Sequence, residues 1–356
     1  MKNISVFICL LALQTGLSGQ LLVQSSAQVV KHPSGPAGPS SARRTDTAVV
    51  TPTRQTPVHD PVLIRQDSTY YLFCTGFGIT VYSSKDRASW KKEKPVFAEA
   101  PQWAVKAIPG YRGHTWAPDI SHHNGLYYLY YSVSAFGKNT SCIGLATNKT
   151  LDPSSPDFKW QDHGKVIQSV PGRDMWNAID PNLIRDEGGT PWLAFGSFWH
   201  GIKLVRLTAD GTAVASPEEW YTVASRSRNP VLPDSVAGDA AIEGPFIFRK
   251  DNYYYLFVSF DYCCRGEKST YKVMVGRSQQ VQGPYVDRDG VPMNLGGGSL
   301  VVEGDKEWHG AGHSATVTFD GTDYLVFHGY DAADGGRSKL RIEKISWFNG
   351  WPVLRR

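Results

Sequence analysis

Five stretches of the chain repeat one pattern, in which a residue able to do chemistry lies beside a short apolar run. In chain order they read His59-Asp60-Pro61-Val62-Leu63-Ile64-Arg65, Ala117-Pro118-Asp119-Ile120-Ser121, Ile179-Asp180-Pro181-Asn182-Leu183-Ile184-Arg185, Ile242-Glu243-Gly244-Pro245-Phe246-Ile247-Phe248 and Gly312-His313-Ser314-Ala315-Thr316-Val317. The lead residues Asp60, Asp119, Asp180, Glu243 and His313 are separated by 59, 61, 63 and 70 positions. Self-similarity at a nearly fixed spacing indicates a repeat architecture. A repeat that keeps a carboxylate or an imidazole in one place predicts a ring with its polar groups at the centre.

Each unit continues with a turn and then an aromatic segment of high sheet propensity. These segments cover 70–73, 127–130, 192–195, 253–257 and 324–327. No long stretch has the 3.6-residue apolar period of an amphipathic helix, so we expect few helices. Short antiparallel sheets that recur at this spacing predict an all-β fold, a five-bladed β-propeller with the active site at one end of the central channel. A β-sandwich would leave the regular placing of the polar residues unexplained.

The N-terminal part of the chain predicts two segments that precede the propeller. Residues 1–20 combine Lys2, an apolar run over 6–13 and small residues after it, which is typical of a secretory signal peptide. Residues 21–56 are rich in Ser, Thr, Pro and Gly, which is typical of a flexible linker. All 11 tryptophans follow, so the catalytic propeller is assigned to 57–356. We therefore expect a secreted protein, extracellular or periplasmic, without membrane contact after signal cleavage.

The net charge of +4 comes from the N-terminal segment alone. Residues 1–55 hold five basic residues and one acidic residue, whereas the remainder holds 32 of each. The domain thus lacks the positive excess of nucleic-acid-binding proteins, and nucleic acid is excluded as a partner. Cys74 and Cys142 lie in apolar strand patterns and are predicted to be buried thiols, whereas the sequence assigns no role to the adjacent Cys263 and Cys264. We expect a monomer.

The lead carboxylates predict acid–base chemistry. Carboxylates that converge in a partly desolvated funnel cannot all ionise easily, so the site gains both an acid and a base. Cleavage of a glycosidic bond needs this pair, because one carboxyl group protonates the leaving oxygen and the other activates water. Each aspartate before a proline could instead be an ordinary turn residue. Aromatic residues near the lead positions could stack on sugar rings or pack between sheets.

The motifs together resemble those of glycoside hydrolase family 43, and within it the endo-1,5-α-L-arabinanases. The matching pieces are Val58 to Pro61, Trp116 to Asp119, Tyr131 to Gly137, Asn177 to Pro181, Gly196 to Ile202, Glu243 to Pro245, Ser259 to Cys264 and Gly310 to His313. The similarity runs from about residue 57 to the C-terminus. This family consists of five-bladed propellers that act with inversion. The resemblance therefore implies an inverting hydrolase that cleaves internal α-1,5-L-arabinofuranosidic bonds of arabinan and arabino-oligosaccharides, and the signal-peptide pattern adds that it is secreted.

The resemblance also implies roles for individual residues. Asp60 corresponds to the general base, Glu243 to the general acid, and Asp180 to the third carboxylate, which holds Glu243 and favours its protonated form. The implied substrate contacts are Asp60, Trp116, Phe136, Gly137, Asn177, Asp180, Ser197, Phe198 and Trp199, although Asn177 and Ser197 could equally cap turns. His313 corresponds to a histidine that approaches a calcium ion at the channel floor, with His328 as a second candidate. Asp119 is expected to support structure rather than to bind sugar.

Two other functions fit the same residues. An exo-acting α-L-arabinofuranosidase or β-xylosidase of the same family would differ in whether loops close the funnel into a pocket, which the sequence does not show. A non-catalytic carbohydrate-binding propeller would be indicated by the loss of a carboxylate, yet Asp60, Asp180 and Glu243 are all present. A fructan-cleaving five-bladed hydrolase lacks support, because its nucleophile motif is not evident.

Overall fold

A computed structural model describes residues 50–354 of the chain. The predicted signal peptide, residues 1–20, and most of the predicted linker, residues 21–56, lie outside the described residues. The remaining linker residues, 50–56, include a strand that joins the first sheet. That strand, Val50–Pro52, pairs with Ser89–Lys92. The folded part therefore begins before residue 57, the predicted start, because the extended chain supplies an outer edge strand.

The regular secondary structure of the described residues is almost entirely β-strand, as predicted. The first ten are β1 (Val50–Pro52), β2 (Val62–Gln66), β3 (Thr69–Cys74), β4 (Gly76–Phe77), β5 (Thr80–Ser84), β6 (Ser89–Lys92), β7 (His114–His123), β8 (Leu126–Val133), β9 (Ser141–Asn148) and β10 (Gln161–Ser169). The others are β11 (Asn182–Arg185), β12 (Pro191–Phe195), β13 (Ile202–Arg206), β14 (Trp220–Ala224), β15 (Ile242–Lys250), β16 (Tyr253–Phe260), β17 (Lys272–Ser278), β18 (Ser299–Val302), β19 (Trp308–Phe319), β20 (Thr322–Asp331), β21 (Arg337–Phe348) and β22 (Trp351–Leu354).

Helical structure in residues 50–354 is limited to short pieces. One α-helix, α1, covers Gln102–Ala107, and 3-10 turns cover Thr53–Gln55, Gly266–Lys268, Met293–Leu295 and Ala332–Asp334. None of the helices in this part of the chain is long and apolar enough to cross a membrane.

The strands form five antiparallel sheets, one for each sequence repeat. Their orders are β1-β6-β5-β3-β2, β10-β9-β8-β7-β4, β11-β12-β13-β14, β15-β16-β17-β18 and β19-β20-β21-β22. The first strands of consecutive sheets contact one another in turn, from β2 to β7, β11, β15 and β19, and β19 contacts β2 again. The sheets are therefore the blades of a closed five-bladed propeller, and the prediction of the fold is confirmed.

The ring closes through the segment between β1 and β2. Leu340 donates its backbone N–H to the carbonyl oxygen of Thr56, and Val58 donates to Ser338, so β21 of the last blade is joined to the start of the first. Pro57 and Lys339 also form an isolated bridge at this seam. Residues 56–58 thus belong to the closure of the ring and bring His59 and Asp60 to its centre.

Apolar side chains fill the spaces between blades. Trp90 of β6 is fully buried among residues of the first and last blades, including Phe319 and Leu340. Trp160 packs edge-on against Phe73 in a core shared by the first two blades. Both tryptophans lie between blades, and the full burial of a large apolar side chain such as Trp90 contributes about 1.5–3 kcal/mol. Cys74 and Cys142 are buried free thiols, which confirms that prediction.

Candidate active site

The repeat has one backbone feature that recurs in every blade. At the start of each first strand, one residue adopts a positive φ: Asp60 at 53°, Ala117 at 40°, Asp180 at 60°, Gly244 at 58° and His313 at 50°. Non-glycine residues rarely take this conformation, and it costs of order 1–3 kcal/mol where the surrounding structure imposes it. The equivalent positions of the five blades are therefore these residues.

This alignment corrects the predicted set of lead residues. Asp60, Asp180 and His313 share one structural position, as expected, but Asp119 and Glu243 do not. Asp119 lies two residues after Ala117, and Glu243 lies one residue before Gly244. The register of β15 shifts between Glu243 and Phe246. A β-bulge of this kind changes the direction of the side chains beside it.

Three of these positive-φ residues make the same hydrogen bond to the preceding blade. In each, the backbone N–H donates to a side-chain hydroxyl group of that blade. Ala117 donates to Thr75 Oγ1 at 2.8 Å, Asp180 to Ser132 Oγ at 2.9 Å and His313 to Ser259 Oγ at 2.8 Å. Each acceptor follows the apolar part of the second strand in its blade. A hydroxyl group at this place thus holds one blade to the next.

Two blades lack this hydroxyl group, and in both cases the replacement bond involves Asp60 or Asp180. Gly196 occupies the acceptor position of the third blade and has no side chain, so Gly244 donates instead to Oδ2 of Asp180 at 3.1 Å. His328 occupies the position in the fifth blade, and Asp60 donates its N–H to Nδ1 of that histidine at 3.2 Å. The departures from symmetry bring Asp180 next to the Glu243–Gly244 peptide and an imidazole next to Asp60.

Asp60 is a buried carboxylate that faces three histidines. Its Oδ1 lies 2.7 Å from His59 Nδ1, 3.1 Å from His313 Nδ1 and 3.9 Å from His328 Nδ1. Thr75 Oγ1 donates to its Oδ2 at 2.6 Å. Burial opposes ionisation, but His59 and His313 outweigh it and hold the pKa of Asp60 well below its ordinary value. The arrangement supplies a carboxylate that stays ionised.

Asp180 has the opposite electrostatic environment. Burial, and then the nearby Glu243 and Asp60, raise the pKa of Asp180 well above its ordinary value, and the Gly244 N–H opposes this only in part. Like charges in a desolvated site cannot all ionise, so a protonated carboxyl group is favoured at this end of the site.

Glu243 is held at both oxygens by hydroxyl groups. Ser197 Oγ donates to Oε2 at 2.7 Å, and Tyr271 Oη donates to Oε1 at 2.7 Å. Ser197 and Glu243 also form an isolated backbone bridge between the third and fourth blades. Such contacts fix the orientation of the Glu243 carboxyl group.

Asp119 does not enter the funnel. Its Oδ2 accepts the backbone N–H of Leu183 at 2.8 Å, and its Oδ1 accepts the side-chain amide of Asn182 at 3.3 Å. Asn182 is in turn the equivalent residue of the next blade, and its Oδ1 accepts the N–H of Ile247 at 2.8 Å. Both side chains join neighbouring blades, which agrees with the supporting role predicted for Asp119. Burial raises the pKa of Asp119 to about 7.

The other predicted site residues surround one cavity of about 920 Å³ above the carboxylates. The structure brings together Asp60, Trp116, Phe136, Gly137, Asn177, Asp180, Ser197, Phe198, Trp199, Glu243 and His313 in its lining. We refer to this cavity as the funnel. Its size suits a ligand of a few sugar rings, since ligand pockets commonly measure about 300–1,000 Å³.

The aromatic residues of the funnel differ in how much of their rings is available. Phe136 is 79% exposed at the rim. Trp116 is partly exposed, and its indole N–H donates to His114 Nδ1 at 2.9 Å. Trp199, in contrast, is only 1% exposed, and its indole N–H donates to the carbonyl oxygen of Asp234 at 3.0 Å. The ring of Trp199 therefore supports the wall, whereas Phe136 and Trp116 offer faces to a sugar.

The two polar residues predicted to contact substrate also differ. Ser197 uses its hydroxyl proton on Glu243. Asn177 donates its side-chain N–H to the carbonyl oxygen of Lys138 at 3.3 Å, and no donor among the described residues reaches its buried Oδ1. A buried acceptor without a partner is costly. Because this oxygen is enclosed by protein, Asn177 supports the funnel wall, and a sugar contact through Oδ1 would require its side chain to turn.

The surroundings of His313 do not fit a calcium cage made of protein ligands. Calcium takes six to eight oxygen ligands, whereas His313 offers nitrogen and its Nδ1 faces Asp60. The groups of potential metal ligands in residues 50–354 are His59 with Asp60 and His328, and His59 with Cys263 and Cys264, and neither includes His313. His328 is committed to the N–H of Asp60. The calcium ion stays a prediction, and a calcium ion at His313 would need water for most of its ligands.

Sequence reasoning missed several residues that contact the carboxylates. Thr75, Tyr271 and His59 hydrogen-bond to Asp60 or Glu243, and Tyr330 contacts His59. His59 could have been found, because it directly precedes Asp60. Tyr271 and Tyr330 lie in or beside apolar strand segments, where a tyrosine is ordinarily a core residue, so the sequence gives no signal for them.

The arrangement places an ionised carboxylate, Asp60, and an oriented carboxyl group, Glu243, around one funnel. A base and an acid in a shared cleft can activate water and protonate a leaving group. The exposed rings at the rim suit the apolar faces of sugars.

Comparison with known proteins agrees with this chemistry. The sequence profile of the glycosyl hydrolases family 43 matches residues 50–352. The extracellular exo-α-(1→5)-L-arabinofuranosidase ArbA of Cellvibrio japonicus (strain Ueda107) is 55% identical over 302 residues, which are 85% of this chain and 87% of that protein. The extracellular endo-α-(1→5)-L-arabinanase 1 of Bacillus subtilis (strain 168) is 42% identical over 299 residues, which are 83% of this chain and 87% of that protein.

A solved structure shares both sequence and fold. It is the α-L-arabinanase of Cellvibrio cellulosa complexed with arabinohexaose, which is 55% identical and has a TM-score of 0.83. The match covers 85% of this chain and 96% of that chain.

Proposed function

This chain belongs to glycosyl hydrolase family 43, and we propose that it hydrolyses α-1,5-L-arabinofuranosidic bonds of arabinan with inversion. The observation that carries the proposal is that the pKa of Asp60 is lowered, whereas the pKa of Asp180, which lies next to Glu243, is raised. Facing histidines keep Asp60 ionised, while burial beside Glu243 favours a proton on Asp180. Relatives named as acting on α-1,5-linked arabinan supply the substrate class.

In the proposed reaction Asp60 is the general base and Glu243 the general acid. Asp60 takes a proton from a water molecule as its oxygen attacks the anomeric carbon, and Glu243 gives its proton to the departing glycosidic oxygen. Ser197 and Tyr271 hold the Glu243 carboxyl group toward that oxygen. Asp180 accepts the N–H of Gly244 and is thereby placed next to Glu243, so that one negative charge on the two carboxyl groups is favoured over two.

The aromatic rim binds the sugar chain in this proposal, and Asn177 lies in the funnel wall beneath it. Phe136 and Trp116 present their ring faces. Gly137, Phe198 and Trp199 complete the wall. No step of the reaction passes through calcium, which remains a proposal for His313 alone.

Two modes of cleavage fit the family. The relative at 55% identity is named an exo-acting arabinofuranosidase, whereas the endo-acting relative is 42% identical. This difference favours release of sugar from chain ends, which we propose as the first candidate. Cleavage of internal bonds, the mode expected from the sequence motifs, is the second candidate, and it is favoured by the exposed Phe136 at an open rim.

A product profile on linear arabinan tests the substrate and separates the two modes. Chain-end cleavage releases one short product from the start and lowers the viscosity slowly. Internal cleavage gives a ladder of arabino-oligosaccharides and a fast fall in viscosity. Xylan and an aryl arabinoside serve as comparison substrates. Binding of arabino-oligosaccharides without any turnover would point to the carbohydrate-binding alternative and would contradict the proposal.

Export is proposed from the N-terminus together with the relatives. Residues 1–20 have the pattern of a signal peptide, and both relatives above are named extracellular. We further propose a monomer. Detection of a mature chain that begins near residue 21 in the culture medium would support export, and retention of the full-length chain in the cell would contradict it.

A further inference from the structure

A chain of hydrogen bonds leads from the Cys263–Cys264 pair to Asp60. The two cysteines form a disulfide between adjacent residues, and Cys264 has a φ of 65°. In this conformation the backbone N–H of Cys264 donates to Tyr330 Oη at 2.8 Å. Tyr330 Oη lies 2.9 Å from His59 Nε2, and His59 Nδ1 lies 2.7 Å from Asp60 Oδ1. All five residues line the funnel.

A second path joins the same residues from the other side. The N–H of Asp60 donates to His328 Nδ1 at 3.2 Å, so that nitrogen carries no proton. The neutral ring then has its proton on Nε2. This nitrogen lies 3.2 Å from Tyr330 Oη, to which it donates. The hydrogen bonds from Asp60 through His328 to Tyr330, and from there through His59 to Asp60, form a closed ring.

With both histidines neutral, one arrangement of protons satisfies every bond of this closed path. Tyr330 Oη accepts from the Cys264 N–H and from His328, which uses both of its lone pairs. In this arrangement the phenol proton is donated to His59 Nε2, 2.9 Å away, rather than to Ser269, which also lies beside Tyr330 Oη. His59 Nδ1 carries the other proton and donates it to Oδ1 of Asp60. Cys264 supplies one of the two donors to Tyr330. It therefore helps to determine that Tyr330 donates to His59 and that His59 donates to Asp60.

We propose that the Cys263–Cys264 disulfide, Tyr330 and His59 form a positioning chain that fixes the orientation of the Asp60 carboxylate. The disulfide closes a small ring within the backbone and so limits the conformations that Cys264 can take. His59 also stacks on His328 with ring centroids 4.0 Å apart, and Cys264 Sγ lies 3.7 Å from His59 Nε2. These contacts leave the His59 ring little freedom to turn away from Asp60.

This inference rests on the proposed function in one respect, the role of Asp60 as the base. A base that is misplaced by a fraction of an ångström loses rate rather than substrate affinity. The chain therefore predicts changes in kcat with little change in KM. The substitutions that break it without removing a carboxylate are Tyr330→Phe, the double variant Cys263→Ser with Cys264→Ser, and His59→Ala.

The kinetic test compares these variants on linear arabinan. Tyr330→Phe and the double serine variant should each lose about tenfold in kcat at a nearly constant KM. His59→Asn keeps a donor close to the position of Nδ1, so it should retain much more of the rate than His59→Ala. Dithiothreitol, which gives two electrons and two protons to the disulfide, should lower the kcat of the wild type and leave the double serine variant unchanged.

Tyr285→Phe is the matched control. Its hydroxyl group is equally buried and donates to the carbonyl oxygen of Val281 at 2.8 Å, but it lies outside the funnel. Removal of this hydroxyl group should cost stability without a change in kcat. An unchanged kcat in Tyr330→Phe would overturn the inference, and so would a rise in KM alone.

A spectroscopic measurement is independent of the substrate. Nitrogen-15 labelling of histidine distinguishes the two neutral tautomers, and His59 is assigned by the signal that His59→Asn loses. Burial favours the neutral form of His59, but Asp60 outweighs it and raises the pKa of His59, so the spectrum is recorded above the pH at which the His59 signals stop titrating. There His59 should carry its proton on Nδ1, and Tyr330→Phe should shift its Nε2 signal. A proton on Nε2 would overturn the inference. If the wild type fails to cleave arabinan, the proposed function falls, and this measurement still decides the positioning chain.

Discussion

The backbone N–H of Gly244 donates to Oδ2 of Asp180, and this bond replaces a blade-to-blade contact that other repeats make with a hydroxyl group. It exists because Gly196 supplies no side chain at the acceptor position. This bond joins the third and fourth blades, and it also holds the Asp180 carboxyl group next to Glu243.

Asp180→Asn should reduce kcat strongly while the protein stays folded. The asparagine oxygen can still accept the Gly244 N–H, but the residue no longer titrates beside Glu243. We expect a loss of about 10²-fold or more in kcat, the size of an acid–base contribution. Asp119→Asn is the matched control, because Asp119 joins blades outside the funnel and should leave kcat nearly unchanged. Equal losses in both variants would contradict the separate roles.

The hydroxyl groups on Glu243 should matter for rate rather than for binding. Tyr271→Phe and Ser197→Ala each remove one donor from the Glu243 carboxyl group. We expect a fall of roughly tenfold in kcat for each, and a combined loss smaller than the product, because both act on the same group. Steady-state kinetics on arabino-oligosaccharides measure this. A change confined to KM would show that these hydroxyl groups contact sugar instead.

Asp119 predicts a pH dependence of stability. Its pKa is raised to about 7 by burial, so the folded chain binds this proton more tightly than the unfolded chain. The stabilising contribution of the protonated group is fully present below its ordinary pKa of about 4 and is lost as the pH rises through about 7. The free energy of unfolding of the wild type should therefore fall relative to that of Asp119→Asn as the pH rises from about 4 to about 7. Urea unfolding at several pH values measures it, and a constant difference would be the contrary result.

Phe136 should affect the binding of sugar without affecting the bond-breaking step. It is exposed at the rim and the structure gives it no role in holding the carboxylates. Phe136→Ala should raise KM for long arabino-oligosaccharides several-fold, in line with stacking worth about 0.5–1.5 kcal/mol, at nearly constant kcat. Phe77→Ala removes another exposed ring that lies outside the funnel lining and serves as the control. An equal effect of both changes would argue against a specific sugar contact.

The sequence predicted the five blades because the repeat is local: apolar run, turn and aromatic strand recur in each unit. It also found the funnel residues that sit in motifs, from Asp60 to His313. It misplaced Asp119 and Glu243 within the repeat, because the equivalent residue is the one before proline in four of the five repeats, whatever its type. The roles of Tyr271 and Tyr330 could not be predicted from the sequence, because Tyr271 contacts Glu243, 28 positions away, and Tyr330 contacts His59, 271 positions away.

The assignment of base and acid is tested most directly by two substrates with different leaving groups. Glu243→Ala should lose activity on arabinan but keep much of it on a dinitrophenyl arabinoside, whose leaving group needs no proton. Asp60→Ala should lose activity on both, because water activation is required in either case. The measurement is kcat/KM for the two variants on the two substrates. If Glu243→Ala loses both activities equally, or Asp60→Ala keeps the aryl activity, the assignment is contradicted.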